Sequence, residues 1–497
     1  IVYVAQAGDG QTHFIGAVVY IQDGTPQAAN VQQWQVIDGQ QRLTTLSLLL
    51  AALVKTLKAS ANEDEIAKGE QFERDYLFNN RKGDLRYKLV LGADDNDTYQ
   101  RLIDDRAMPD RIAQRLMDNY HFFLDQIQTH QADPDRLFEG TSRLTLIDVS
   151  LNTLHGDNPQ LIFESLNSTG LALSQADLIR NFLLMGLSPD EQTRLYTDYW
   201  QWMERRFDQD EASPPFDHFM RDYLTIQNKG TIPNLGDVYA DFKRFISRVR
   251  LTQATEAVLS DIHRYARHYA AIWFADPQYE SDNAIREALA DLKELKVEVA
   301  NPFLLTVYDD YHQNRLSSED FVSILRLVES YVFRRAVVGI PTNSLNKIFA
   351  NLSSEIDKAN YVVSVQRAFL KRKGKTYFPP DSDFSQKFML WDVYTNVPRR
   401  VYVLRKLENF GRKEPISIEN YTIEHVMPQS LRLPWEKMLG ADWQRVHDQY
   451  LHTIGNLTLT SYNSDYSNHP FEKKRDMTGG FRDSPLYPVS YTHLTLP

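Results

Sequence analysis

Cysteine is absent from the 497 residues. That excludes disulfides, thiol nucleophiles and four-cysteine zinc ribbons. It fits a reducing compartment, and a cytoplasmic setting is expected. Long apolar runs are absent too. The longest, Leu48–Val54, falls far short of the roughly 20 residues that a membrane helix needs, so no membrane association is expected. No charged segment precedes an apolar stretch at the start, and no signal peptide is read there. Excess positive charge is also missing. Net charge is −11, whereas a protein that coats nucleic acid is normally basic. Any DNA contact must therefore come from a local patch. One candidate is residues 367–413, where twelve Lys/Arg face four acids for a net +8. Its bland reading is a solvated basic face.

The length suggests roughly three domains. Residues 1–187 read as mixed α and β, 188–400 as helical and rich in aromatics, and 401–488 as mixed again. Ile1 is not an initiator residue, so the first domain is read as N-terminally truncated. Residues 489–497 break the style of what precedes them and are read as a non-native tail. In the first domain, "HFIGAVVYI" (13–21), "QWQVI" (33–37) and "RLTLIDVSL" (143–151) predict strands. A helix after Asp38 carries Leu43, Leu46, Leu50, Leu53 and Leu57 at spacings of three and four, which predicts one buried stripe. In the middle domain, "LSPDE" offers Ser188 as a cap with Pro189 at the first helical position. Ile285, Leu289 and Leu292 share a helix face, and the aromatics predict a core rather than a base-stacking platform.

The stretch "VIDGQQRLTTL" from Val36 raises the first functional question. Asp38 and Gln41 have the spacing of a capping box, which needs no function. The glycine turn running into a helix start also presents N–H groups and a positive dipole end, and Arg42 adds a forked donor. An anion such as a phosphate is the sharper reading. "IDGQQRLTTL" resembles the signature of the ParB-like DGQQR domain that opens the GmrSD-type modification-dependent restriction proteins. A second hallmark follows in "IFESLNSTGLALSQADLIRNFLL", at Phe163, Glu164, Asn167, Gly170, Leu173, Ser174, Asp177, Arg180 and Asn181. The resemblance implies a nucleoside triphosphate bound by Asp38, Gly39, Gln40, Gln41 and Arg42, with NTPase activity controlling a nuclease.

The second constellation lies near the C-terminus. "IEHVMPQS" puts His425 at the end of a predicted strand, and "GNLTLTSYN" puts Asn456 at a turn and Asn463 where a helix begins. Phosphodiester hydrolysis needs a base for water and a cation for the phosphate. Each residue also has an ordinary reading, as a structural histidine, a turn asparagine and a helix cap. Together, on a strand–loop–strand–helix order, they resemble the ββα-metal (HNH) nuclease module that partners the DGQQR domain. The resemblance implies His425 as general base, Asn456 as its orienting or loop-bracing partner, and Glu424 and Asn463 as ligands of a divalent metal such as Mg²⁺. Asn468, His469 and His452 stand in reserve. Glu424 and His425 are strand neighbours and point to opposite faces unless the strand twists or ends.

Lys473 and Lys474 are expected to touch DNA phosphates. Arg334, Arg335 and the 367–413 stretch, Arg399 and Arg400 foremost, are expected to carry part of the DNA path. The expected fold is α+β and multidomain: a ParB-like domain, a mainly helical middle and an HNH module. The expected function is a nucleotide-regulated, metal-dependent DNA endonuclease of an anti-phage system, acting on modified phage DNA. A homo-oligomer is left open. The rival reading is a nucleotide-sensing DNA-binding regulator with an inactive nuclease module. An RNA-cutting effector would share the chemistry.

Overall fold

In the computed structural model the described residues are 12–23, 32–129, 133–151, 174–185, 187–249 and 254–487. The fold is α+β, mainly helical and multidomain. Two compact units divide the chain, residues 1–174 and 175–497. No helix among the described residues is long and apolar enough to cross a membrane. Phe163, Glu164, Asn167, Gly170 and Leu173 of the second hallmark lie outside the described residues, as do residues 489–497.

In the first unit, β1 (His13–Asp23), β2 (Gln33–Asp38) and β3 (Leu144–Leu151) form a sheet of order β2-β1-β3. The β1·β2 pair is antiparallel and β1·β3 parallel, so the chain must cross over between β1 and β3. Helices between residues 40 and 142 make that crossover. β-branched residues drive the strands, and Val18, Val19 and Ile37 are buried. Helix α1 (Gln40–Lys58) starts at Gly39, whose φ is +91°. A Cβ there would sit 2.8 Å from Val18 Cγ2 and 3.0 Å from Ala17 O, so glycine is required by both conformation and packing.

The capping box expected at this turn is not formed. Gly39 is itself the N-cap and receives no side-chain cap. Asp38 is thereby one position too early for the Asp–Gln reciprocity that a box needs. The stripe on α1 is also rotated from the expected one. Leu48, Ala52, Leu53 and Leu57 are fully buried, while Leu43, Leu46 and Leu50 are half-buried.

The second unit has an aromatic core that includes Trp200, Phe219, Tyr223, Phe242, Phe303 and Tyr331, all essentially inaccessible. The aromatics thus serve packing. Helix α2 (Asn283–Glu294) buries Ile285, Leu289 and Leu292 as the spacing predicts. Ser188 precedes Pro189 at a helix start, but its side chain accepts no capping hydrogen bond. Helix α3 (Ser318–Val338) and helix α4 (Val397–Asn409) are tied to α2 by charge. Asp291, 2% exposed, takes Arg326, Arg405 Nη2 at 2.6 Å and Lys406 Nζ at 2.5 Å. Glu329 takes Lys406 at 2.8 Å and the Tyr402 hydroxyl at 2.5 Å. This network anchors α4.

Ion pairs take up five of the twelve basic residues of the 367–413 stretch. Lys371 and Arg372 pair with Glu355, Arg405 and Lys406 with Asp291, and Arg412 with Glu408. Lys373, Lys375, Lys387 and Lys413 are exposed. Arg335, 1% exposed, bonds to the carbonyls of Lys375 and Pro341. Arg334 pairs with Asp381 at 2.6 Å and donates to Pro379 O. Arg335 is therefore enclosed, whereas Arg334 keeps part of its surface in solvent.

The chain then forms β4 (Thr422–His425) and β5 (Leu457–Thr460), an antiparallel pair with His425 opposite Leu457 and Glu424 opposite Thr458. Two short helices fill the connection, and α5 (Asn463–Tyr466) and α6 (Phe471–Asp476) follow β5. This is the strand–loop–strand–helix order read from the sequence. A small core of Leu404, Val426, Leu459, Tyr466 and Phe481 binds α4 to the strands.

Candidate active site

His425 ends β4 and is 5% exposed. Its Nε2 lies 3.2 Å from His452 Nδ1, and its Nδ1 lies 3.4 Å from Gln429 Nε2. In the tautomer that protonates Nε2, Nδ1 accepts from the Gln429 amide. Nε2 then donates to His452. The basic lone pair of His425 in that tautomer faces an exposed amide across a long contact, which a water can displace.

The Tyr394 ring closes the other side. Its centroid is 4.4 Å from that of His425 at 67°, and it stacks on His452 at 5.2 Å and 10°. Backbone bonds from Val393 N and Tyr394 N to His452 O hold this segment in place, at 2.9 and 3.3 Å. Burial pushes the His425 imidazole down to about 4, and the neighbouring His452, Lys474 and His447 add to the effect. It is neutral at physiological pH, as a general base must be.

The linkage has a definite sign. The unfolded imidazole takes up its proton near pH 6.5 while the folded one waits until about 4. Stability contributed by this group is therefore present above 6.5 and is lost as pH falls through that window. The loss amounts to about 3 kcal/mol.

Asn456 braces the loop after β4. Its Oδ1 accepts from Met427 N at 2.7 Å, and its Nδ2 donates to Met427 O at 3.0 Å and Leu451 O at 2.8 Å. All three of these bonds go to backbone. Asn463 is exposed and donates from Nδ2 to Ile423 O at 3.1 Å. Asn463, Arg400 and Tyr394 line one cavity of about 410 Å³. Tyr394 thus stands between the His425 imidazole and the space that Asn463 faces.

Glu424 points away from His425. Its Oε1 takes the Lys474 ammonium at 2.5 Å, and that ammonium also donates to His425 O at 2.9 Å and Val426 O at 3.2 Å. Burial raises the Glu424 carboxyl and lowers the Lys474 ammonium, each opposed by the other's charge. The expected DNA contact by Lys474 is therefore corrected. Its side chain is fully inaccessible and serves as counter-ion to Glu424. Lys473, one residue earlier, is exposed.

A divalent ion, expected at Glu424 and Asn463, does not fit Glu424 as it stands. An ammonium already occupies that carboxylate, and a second cation beside it would be repelled. No group of three or more His, Asp or Glu among the described residues is arranged to hold a metal.

Arg399 is half-buried, bonds to Asn396 Oδ1 at 3.2 Å, and keeps its Nε buried without a partner. Burial lowers its guanidinium. Arg400 donates to Tyr394 O at 3.3 Å and lies 5.5 Å over the Tyr394 ring. Tyr394 and Gln429 are parts of the site that the sequence reading missed. Tyr394 lies ahead of α4, outside the segment that carries the histidine pattern. His452, held in reserve there, is a full member of the site.

In the first unit, Gln40 and Gln41 are exposed at the start of α1. Gln40 Nε2 donates back to Val36 O at 3.0 Å. Arg42 is turned inward, donating to Ala17 O at 2.6 Å and pairing with Asp38 at 3.4 Å. Gly16, with φ +105°, makes room for it, since a Cβ there would be 2.9 Å from Arg42 Nε. The turn therefore offers an anion two amides and a helix end, with its guanidinium committed to the sheet. Of the described second-hallmark residues, Arg180 pairs with Asp177 at 3.1 Å and with Glu204.

Comparison with known proteins gives two family matches. The N-terminal domain of the GmrSD restriction endonuclease matches residues 6–184, and the C-terminal domain of GmrSD restriction endonucleases matches residues 378–493. No curated protein matches the chain. The two matches stand in the same order as the glycine turn and the buried histidine described above, and the chain belongs to the GmrSD-type restriction endonuclease family.

Proposed function

We propose that the chain is a DNA endonuclease that restricts modified phage DNA, with His425 as general base and a nucleotide bound at the start of α1 as its regulator. The observation that carries this reading is the buried His425 imidazole, neutral and set between His452 and an exposed, displaceable Gln429 amide. A water replacing the Gln429 amide would give its proton to Nδ1 as its oxygen attacks phosphorus, while the bond from phosphorus to the leaving sugar oxygen breaks and that oxygen takes a proton from solvent. The imidazolium that forms spreads its charge through the Nε2–H bond to His452. Because Glu424 does not fit as a metal ligand in this arrangement, no step here runs through a metal. For the nucleotide, Gln40, Gln41 and the N–H groups of the first turn would hold phosphate oxygens.

The experiment is cleavage of unmodified, glucosylated and phosphorothioate DNAs, and of RNA, with each triphosphate and with or without Mg²⁺. Nucleotide-dependent cutting of a modified DNA is the expected outcome. The Lys474–Glu424 pair favours one rival, a DNA-binding regulator with an inactive nuclease module. Binding without any cutting under every condition would establish that rival.

Two further outcomes follow from the geometry. The acid limb of kcat/KM, which reports the free enzyme, is expected near pH 4; a limb at 6.5 or above would mean that His425 is not the buried base. His452→Ala is expected to lower kcat by about 10- to 100-fold with KM little changed. His452→Asn, which restores an acceptor for Nε2–H, should recover part of it. Equal losses in both variants would deny His452 an orienting role.

A further inference from the structure

The cavity of about 410 Å³ beside His425 has no part in proton transfer, and its walls are unlike a phosphate site. Its floor is apolar, made by Leu404, Ile418 and Leu459. Tyr394 and Tyr421 line it, and its polar residues are Arg400, Asn463, Thr422 and the exposed Glu419. A flat heteroaromatic ring suits such a mixture. Aromatic side chains and an arginine plane supply faces to stack on. An amide and a carboxylate supply edges for the ring's donors and acceptors. The volume lies in the usual range for small-molecule sites, about 300–1,000 Å³.

Position favours a nucleoside of the substrate itself. Ile423 lines the cavity and lies two residues before His425 on β4. Residues two apart share a strand face and are separated by about 7 Å. Tyr394 forms a wall of the cavity and touches the His425 ring. A nucleoside in the cavity would thus lie across the Tyr394 ring from the His425 imidazole. Entering it from a duplex requires the base to leave the stack.

We propose that this cavity is a nucleoside subsite that receives one unstacked base next to the scissile phosphate, with Tyr421 and Arg400 on its faces and Glu419 and Asn463 at its edges. This rests on the endonuclease reading above.

The test is binding of the four 2′-deoxynucleoside 5′-monophosphates, with deoxyribose 5-phosphate as base-free control, to the full chain by saturation-transfer NMR. Val401 is 43% exposed at the rim, so Val401→Trp fills the cavity without disturbing the core. At least one nucleotide is expected to bind, more weakly by about tenfold in Val401→Trp and undiminished in His425→Ala. Failure of all four, equal binding of the sugar phosphate, or binding that survives Val401→Trp would each overturn the subsite. Cutting is scored separately. DNA cleavage without nucleotide in the cavity sinks only this inference, whereas nucleotide in the cavity without any cleavage sinks the endonuclease reading.

Discussion

Lys474→Ala is expected to destabilise the β4–β5 region by about 3–5 kcal/mol, because it leaves the Glu424 carboxylate buried and uncompensated. Both partners are almost wholly inaccessible, with side-chain exposures of 0% and 7%. The same ammonium also satisfies the carbonyls of His425 and Val426, so two backbone acceptors lose their donor in the variant. Removing both charges is a different case, and Glu424→Gln with Lys474→Met should recover most of the loss. Because the chain folds as more than one unit, a global melting curve is the wrong readout. Hydrogen exchange of the β4 and β5 amides reads the local opening instead. It should quicken by about two to three orders of magnitude in Lys474→Ala. A Lys474→Ala variant with unchanged exchange and weakened DNA binding would restore the surface role that the helix pattern suggested.

That misreading shows where local pattern stops. "FEKKRD" reads as a polar surface helix, and Lys473 obeys. Lys474 does not, because its partner lies 50 residues upstream and enters no helical period. The same limit explains the basic stretch. Its charges were counted along the chain, but Arg405 and Lys406 meet Asp291 more than 100 residues away. Arg335 was read by its charge and is in fact held by carbonyls. Tyr394 was invisible for a related reason, since it joins His425 through backbone bonds to residue 452.

What was legible depended on local rules. β-branched alternation located all three strands of the first sheet. The glycine turn before α1 was evident, yet the cap was misplaced by one residue because Gly39 adopts a left-handed conformation. His425 and Asn456 were found from the spacing around two strands, and Asn456 proves to brace the loop. Glu424 illustrates the alternation rule itself. As a neighbour of His425 on a strand it faces the other way, and an ammonium waits there.

His425→Ala removes the only group in this account that takes the proton from the attacking water. General-base catalysis is worth about 10²–10⁴-fold, so cleavage should fall by that factor or more. DNA affinity should stay within a few fold, since the imidazole is buried and makes no phosphate contact of its own. Its bonds to His452 and Gln429 are long, and the neutral ring carries no ion pair, so truncation should leave the module folded. The decisive measurement is single-turnover cleavage of a modified DNA by wild type and His425→Ala side by side, with binding measured on the same DNA. The account predicts loss of cutting with binding retained. Undiminished cutting by the alanine variant would contradict it.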